Sequence, residues 1–134
     1  MPLLRILFVC VENSNRSQMA QAFATLHGGP QVESFSAGSR PSGVVNPKAI
    51  AAMREKGYDL TTHQSKSLDD LPPVTFDAAV TMGCGDVCPQ VRASHREDWK
   101  IPDPRTMEPD QFREVRDLIE QQVLSLIQKL NHSQ

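Results

Sequence analysis

The chain has 134 residues, 39% of them hydrophobic and 22% charged, and a net charge of -2 at neutral pH. It is long enough to bury a core without staples and too apolar to be disordered. The charge leaves no footprint for nucleic acid or an anionic membrane surface, no apolar run approaches a membrane-spanning helix, and the N-terminal run carries no cleavage signal.

The expectation is therefore a single domain over residues 1–134, cytoplasmic and monomeric, with no nucleic-acid or membrane partner. Three cysteines in such a chain point to catalysis or redox chemistry rather than to structural cross-links.

In chain order, Leu4 to Val9 is a nearly continuous apolar run, as in a strand buried on both faces. Arg16 to His27 carries Met19, Ala22, Phe23 and Leu26 at helical spacing, and Gly28-Gly29-Pro30 stops it. Val32 to Ser36 reads as a second strand ended by Ala37-Gly38. Asn46-Pro47 starts a helix with a capping side chain before a first-turn proline; Ile50 and Met53 lie within it and Gly57 ends it. Leu68 to Leu71 fits one short turn, and Phe76 to Met82 a third strand. Gly83 to Ser94 reads as irregular, and Glu97 to Ile101 as a short fourth strand. Pro109 opens a long helix with Phe112, Val115, Ile119, Val123, Leu126 and Leu130 on one stripe, and the mixed charges from Arg113 to Glu120 read as its solvated face. This alternation implies a parallel sheet with helices on both faces, right-handed crossovers, and ligands beyond the carboxyl ends of the strands.

The segment Cys10-Val11-Glu12-Asn13-Ser14-Asn15-Arg16-Ser17 stands at such a place, between the first strand and the first helix. Successive backbone N–H groups of a loop of this kind converge on one oxyanion, and the helix N-terminus adds its positive end. A cysteine in that field favours its thiolate form, the nucleophilic one. Ser17 can donate to a thiolate and Asn13 can pin the loop from within. A cysteine closing a buried strand is commonly only a small core residue; the flanking strand, helix and polar residues favour function.

Elsewhere the signals are weaker. Asp103-Pro104 alone reads as a turn. Cys84 follows the third strand and so lies at the same sheet edge as Cys10, with Cys88 close behind. A zinc site there would need four ligands and finds only His95 in addition. His27, His63 and His132 are scattered and read as surface or helix-end residues, and Trp99, Met19, Met53 and Met82 as core.

Together these stretches resemble the low-molecular-weight tyrosine phosphatase superfamily, and within it the arsenate reductases of the thioredoxin-coupled type. The resemblance rests on Cys10 to Ala20, Ser36-Ala37-Gly38, Asn46-Pro47-Lys48-Ala49, Val80-Thr81-Met82, Cys84 with Cys88-Pro89, and Trp99 through Asp103-Pro104. It implies a three-layer flavodoxin-like α/β fold with a four-stranded parallel sheet in the order 2-1-3-4. It implies Cys10 as nucleophile, Arg16 as oxyanion clamp and Asp103 as general acid, with Val11, Glu12, Asn13, Ser14, Asn15 and Ser17 around the substrate. Reduction of arsenate would then run through Cys84 and Cys88 and end on thioredoxin, with no bound cofactor or metal and a weak phosphatase activity on the side.

Several positions depart from the family pattern. Asn15 stands where the phosphatases usually carry a second cysteine, so no disulfide forms within the loop. Arg105 stands where they tend to carry an aromatic residue. Members that bind potassium use a glutamate and an aspartate where this chain has Gln21 and Lys66, so Lys66 is expected to supply the missing positive charge. Cys84 and Cys88 are closer together than in most thioredoxin-coupled members, which keeps open a small thiol such as mycothiol, or glutathione with glutaredoxin. A phosphatase and a non-enzymatic redox or oxyanion-sensing module complete the alternatives.

Overall fold

The computed structural model describes residues 3–82 and 91–132. Four strands form one parallel sheet in the order β2-β1-β3-β4: β1 is Leu4–Cys10, β2 Val32–Gly38, β3 Phe76–Thr81 and β4 Ala93–Asp98. The helices are α1 (Arg16–Gly28), α2 (Pro47–Arg54) and α3 (Pro109–His132), with 3₁₀ turns at Gly29–Gln31, Leu60–Thr62 and Leu68–Asp70. The expected strand order is the observed one. None of the described helices is long and apolar enough to cross a membrane.

The central strand explains the layering. Only Arg5 of β1 is exposed. Leu4, Ile6, Phe8 and Cys10 pack into one core with α1, α2 and α3, while Leu7 and Val9 turn to the opposite face and meet Phe35, Leu68, Leu71, Val74 and Phe76. A strand that buries both faces has no room for the alternation of a half-exposed one.

Helix α1 lays Met19, Ala20, Ala22, Phe23 and Ala24 into the core without exposure. Leu26, expected on that stripe, is 42% exposed. The place against α3 is taken instead by His27, which stacks on Phe23 and bonds Glu120 at 2.8 Å. Helix α2 starts as expected, with the Asn46 side chain accepting from the N–H of Lys48 at 2.9 Å. All six stripe residues of α3 are buried.

The fourth strand lies earlier than the expected Glu97 to Ile101. It pairs Phe76 with Ala93 through Thr81 with Asp98, and its residues alternate between half-buried and exposed. Trp99 and Ile101 are buried beyond its end, where the Trp99 N–H reaches the Thr81 carbonyl at 2.8 Å. An edge strand solvated on one side needs few apolar residues, so Ala-Ser-His-Arg-Glu-Asp carries no apolar signal. Glu97 fastens it inward, accepting from Trp99 Nε1 and Lys129 Nζ at 2.7 Å each.

The charged face of α3 is not wholly solvated. Arg116 is buried; its guanidinium donates to the Ala52 carbonyl at 3.0 Å, to Glu55 at 2.7 Å and to Asp117 at 2.9 Å, tying α3 to the end of α2. Both carboxylates keep contact with solvent, so losing the arginine strands no buried charge. Arg116→Ala is expected to lower the unfolding free energy by about 2 kcal/mol through lost charged hydrogen bonds and stem packing, as measured by urea denaturation.

Candidate active site

The loop from Cys10 to Arg16 is held open by its carbonyls. The Val11 carbonyl accepts from the Arg40 N–H at 2.8 Å; that of Glu12 accepts from the Ser42 N–H and the Ser65 hydroxyl, both at 3.0 Å. The Asn13 carbonyl takes Gln18 Nε2 at 3.1 Å, and that of Ser14 the Asn46 N–H at 3.2 Å. In a trans peptide the N–H points opposite to the carbonyl. Four carbonyls anchored in the surrounding frame therefore turn the N–H groups of Glu12 to Asn15 the other way, and among the described residues no protein acceptor takes them. Asn15, the N-cap of α1, makes no side-chain cap bond, so the first helical turn keeps its donors as well.

Behind this cradle runs a chain of buried polar groups. Asn13 is the one described non-glycine residue with positive φ, at 51°. Its Oδ1 accepts from Gln18 Nε2 at 2.9 Å and the Lys66 N–H at 2.8 Å, and its Nδ2 donates to Ser17 Oγ at 2.8 Å. Ser17 Oγ lies 2.9 Å from Cys10 Sγ; since that oxygen already receives the Asn13 amide, its own hydrogen is free to point at the sulfur. On the far side, His63 Nδ1 is 2.8 Å from Gln18 Oε1, and Tyr58 Oη is 2.6 Å from His63 Nε2. An amide oxygen only accepts, so Nδ1 carries the hydrogen and Nε2 accepts from tyrosine. Every donor in the series Tyr58, His63, Gln18, Asn13, Ser17 then points toward the thiol, and such bonds polarise one another.

His63 was expected at the surface. It is partly buried, and burial above all, with the Lys66 charge second, pushes its pKa down to about 4. Lys66 reaches Asn13 through its backbone N–H. Gln21 accepts from the Ser36 hydroxyl at 2.6 Å.

The opposite wall comes from the segment after β4. Cys10, Val11, Glu12, Ser14, Asn15 and Arg16 line a cavity of about 410 Å³ together with Asp103 and Arg105. That is many times the roughly 30 Å³ share of one water. Arg16 Nη1 donates to the Ile101 carbonyl at 3.1 Å, and Nη2 lies 4.0 Å from Asp103 Oδ2. The Arg105 N–H fixes the other carboxylate oxygen of Asp103 at 3.0 Å. Asn13 and Ser17 are fully buried and stand behind the cavity wall. Cys84 and Cys88 lie outside the described residues, as does the side chain of His132. The roles of Tyr58, His63 and Gln18 behind the loop were not legible in the sequence, where the signal is only a tyrosine and a histidine flanking Asp59-Leu60-Thr61-Thr62.

Gly38 closes the site from below. A Cβ there would lie 2.6 Å from the Val11 oxygen and 3.0 Å from the Asn13 nitrogen. Gly38→Ala is therefore expected to push the loop out of shape and weaken oxyanion binding roughly tenfold or more, read as the phosphate concentration that protects Cys10 from alkylation. The neutral His63 makes a second prediction. The unfolded chain binds that proton near pH 6.5, the folded one only near pH 4, so stability is present above the higher value and falls as pH drops toward the lower. The stability difference between the parent and His63→Gln should shrink from pH 6.5 to 4; a constant difference would contradict a neutral, enclosed imidazole.

Residues 5–134 match the family described as low molecular weight phosphotyrosine protein phosphatase. The glutaredoxin arsenate reductase of Synechocystis is 34% identical over 130 residues, covering 95% of this chain and 98% of its own. A solved arsenate reductase in its phosphate-binding state superposes with a TM-score of 0.88 at 34% identity, over 96% of this chain and 99% of that one. The thioredoxin-dependent arsenate reductase of Corynebacterium glutamicum superposes at 0.80 with 31% identity, over 99% of this chain and 64% of that one. The chain belongs to the low molecular weight phosphotyrosine protein phosphatase family.

Proposed function

We propose that the chain is an arsenate reductase in which Cys10 attacks the bound oxyanion and a second thiol completes the reduction. The observation that supports this best is the Cys10 sulfur at the floor of a cradle of inward-turned N–H groups, 2.9 Å from a hydroxyl that can stabilise its negative charge. Arsenate is a compact dianion at neutral pH. Arg16 supplies a planar fork for two of its oxygens, and Asp103, on the rim opposite the loop, protonates the oxygen that leaves.

The thiolate displaces one oxygen, released as water, and forms a sulfur–arsenic(V) bond. Cys84 then attacks Cys10 Sγ. A disulfide forms, and the electron pair of the sulfur–arsenic bond stays on arsenic, which departs as arsenite. Cys88 attacks Cys84 in turn, frees Cys10 and leaves a Cys84–Cys88 disulfide. Thioredoxin returns the two electrons. The two relatives named for their reductants point to different donors, one thioredoxin and one glutaredoxin. Two cysteines at positions 84 and 88 favour the internal relay, because a route in which a small thiol takes the arsenic adduct needs neither of them.

The phosphatase reading uses the same cradle, nucleophile, clamp and acid but has no use for positions 84 and 88. Arsenate-dependent NADPH oxidation separates the readings. Steady turnover is expected with thioredoxin and thioredoxin reductase, and Cys84→Ser should abolish multiple turnover while aryl phosphate hydrolysis persists. Turnover only with glutathione and glutaredoxin would move the electron source to the small thiol. Loss of both activities together in a folded Cys84→Ser protein would contradict the division of labour.

A further inference from the structure

Two charged side chains meet at the mouth of the cavity from opposite walls. Glu12 belongs to the nucleophile loop, and Arg105 follows Asp103 by two residues. Arg105 Nη1 contacts both carboxylate oxygens of Glu12, at 3.1 and 3.2 Å. Neither residue is deeply buried, with side-chain exposures of 60% for Arg105 and 33% for Glu12, so the pair adds little to stability. Its surroundings are nevertheless braced. The Arg105 N–H holds Asp103 Oδ1, and Lys48 Nζ donates to the carbonyls of Arg105 and Met107 at 3.2 and 3.3 Å. The arginine thus stands on a segment tied to the start of α2 and to the acid itself.

We propose that the Glu12–Arg105 pair is a specificity clasp that favours a free inorganic tetraoxo anion over its aryl esters, which it admits only weakly. This rests on the reading of Cys10 as nucleophile and Asp103 as acid. In-line displacement puts the leaving group opposite the attacking sulfur, on the Asp103 side. For the inorganic anion that group is one oxygen. For an ester it is an oxygen with a ring attached, which must project past Asp103 to the rim where the pair stands. Admitting the ring means breaking the contact. The arginine has a second duty: Glu12 alone would place a negative charge beside an entering dianion, and Arg105 cancels it.

These duties give the two single variants different signatures. The probes are inorganic phosphate and phenyl phosphate, each scored by its protection of Cys10 against iodoacetamide, followed by mass spectrometry of the Cys10 peptide. The parent should be protected by inorganic phosphate and far less well by phenyl phosphate. In both Glu12→Ala and Arg105→Ala, preference for the inorganic anion should fall by about tenfold, since either change opens the wall. Only Arg105→Ala, with Glu12 uncompensated, should also bind inorganic phosphate several-fold more weakly, and Glu12→Ala with Arg105→Ala together should recover that loss. Equal discrimination in all four proteins overturns the proposal. Absence of arsenate turnover by the parent would remove the reductase reading instead, with the discrimination still measurable.

Discussion

One asparagine in a left-handed conformation sets the shape on which the site depends. Asn13 has φ of 51°, a state that costs a side-chain-bearing residue on the order of 1–2 kcal/mol. Glycine would adopt it without strain, but glycine has no side-chain amide. The Asn13 amide makes three hydrogen bonds inside the protein, to Gln18, Lys66 and Ser17. At about 1 kcal/mol net each, these offset the strain. The same group that makes the reversal tolerable also orients the serine beside the sulfur. Backbone shape and thiol environment are therefore not independent, and a substitution that relieves one disturbs the other.

The sheet explains why the loop sits where it does. From β1 the chain passes to β2 on one side and later to β3 on the other, so the carboxyl end of β1 lies at the point where the winding reverses. A crevice opens there in sheets of this kind. Two separate groups of segments flank it. On the β2 side, Arg40, Ser42, Asn46 and Ser65 hold the carbonyls of Val11, Glu12 and Ser14, and the Lys66 N–H holds the Asn13 side chain; on the β4 side, residues 101 to 105 bring the acid and the second arginine. Gly38 has a structural reason of its own, because the loop backbone rests where its side chain would be.

The parts legible in the sequence are those with local causes. A continuous apolar run gave β1, a helical stripe gave α3, and Asn46-Pro47 gave the start of α2. The nucleophile loop was visible because all its residues are contiguous. The parts that escaped depend on distant partners. β4 is polar because an edge strand needs little else, and Glu97 holds it to α3 through Trp99 and Lys129. His63 looked like a surface histidine because nothing near it in sequence shows that Gln18, 45 positions earlier, accepts its hydrogen bond. Arg116 looked solvated for the same reason: two of its three acceptors, Ala52 and Glu55, lie at the end of another helix. Glu12 and Arg105 are 93 positions apart, and no pattern links them.

Burial of the nucleophile also bears on how the electrons arrive. Cys10 is 2% exposed, and the cavity is the opening it lines. A small tetraoxo anion passes such an opening. The reactive thiol of a folded protein does not reach a sulfur so deep, because thiol–disulfide exchange needs direct approach to the atom attacked. An arsenic adduct on Cys10 would thus be shielded from a protein reductant, which is the physical case for moving the oxidation off position 10 before that reductant acts. Two further cysteines in the same chain are what such a transfer requires. Among the described residues, the cavity is the approach open to a small thiol, and its mouth carries the Glu12–Arg105 pair.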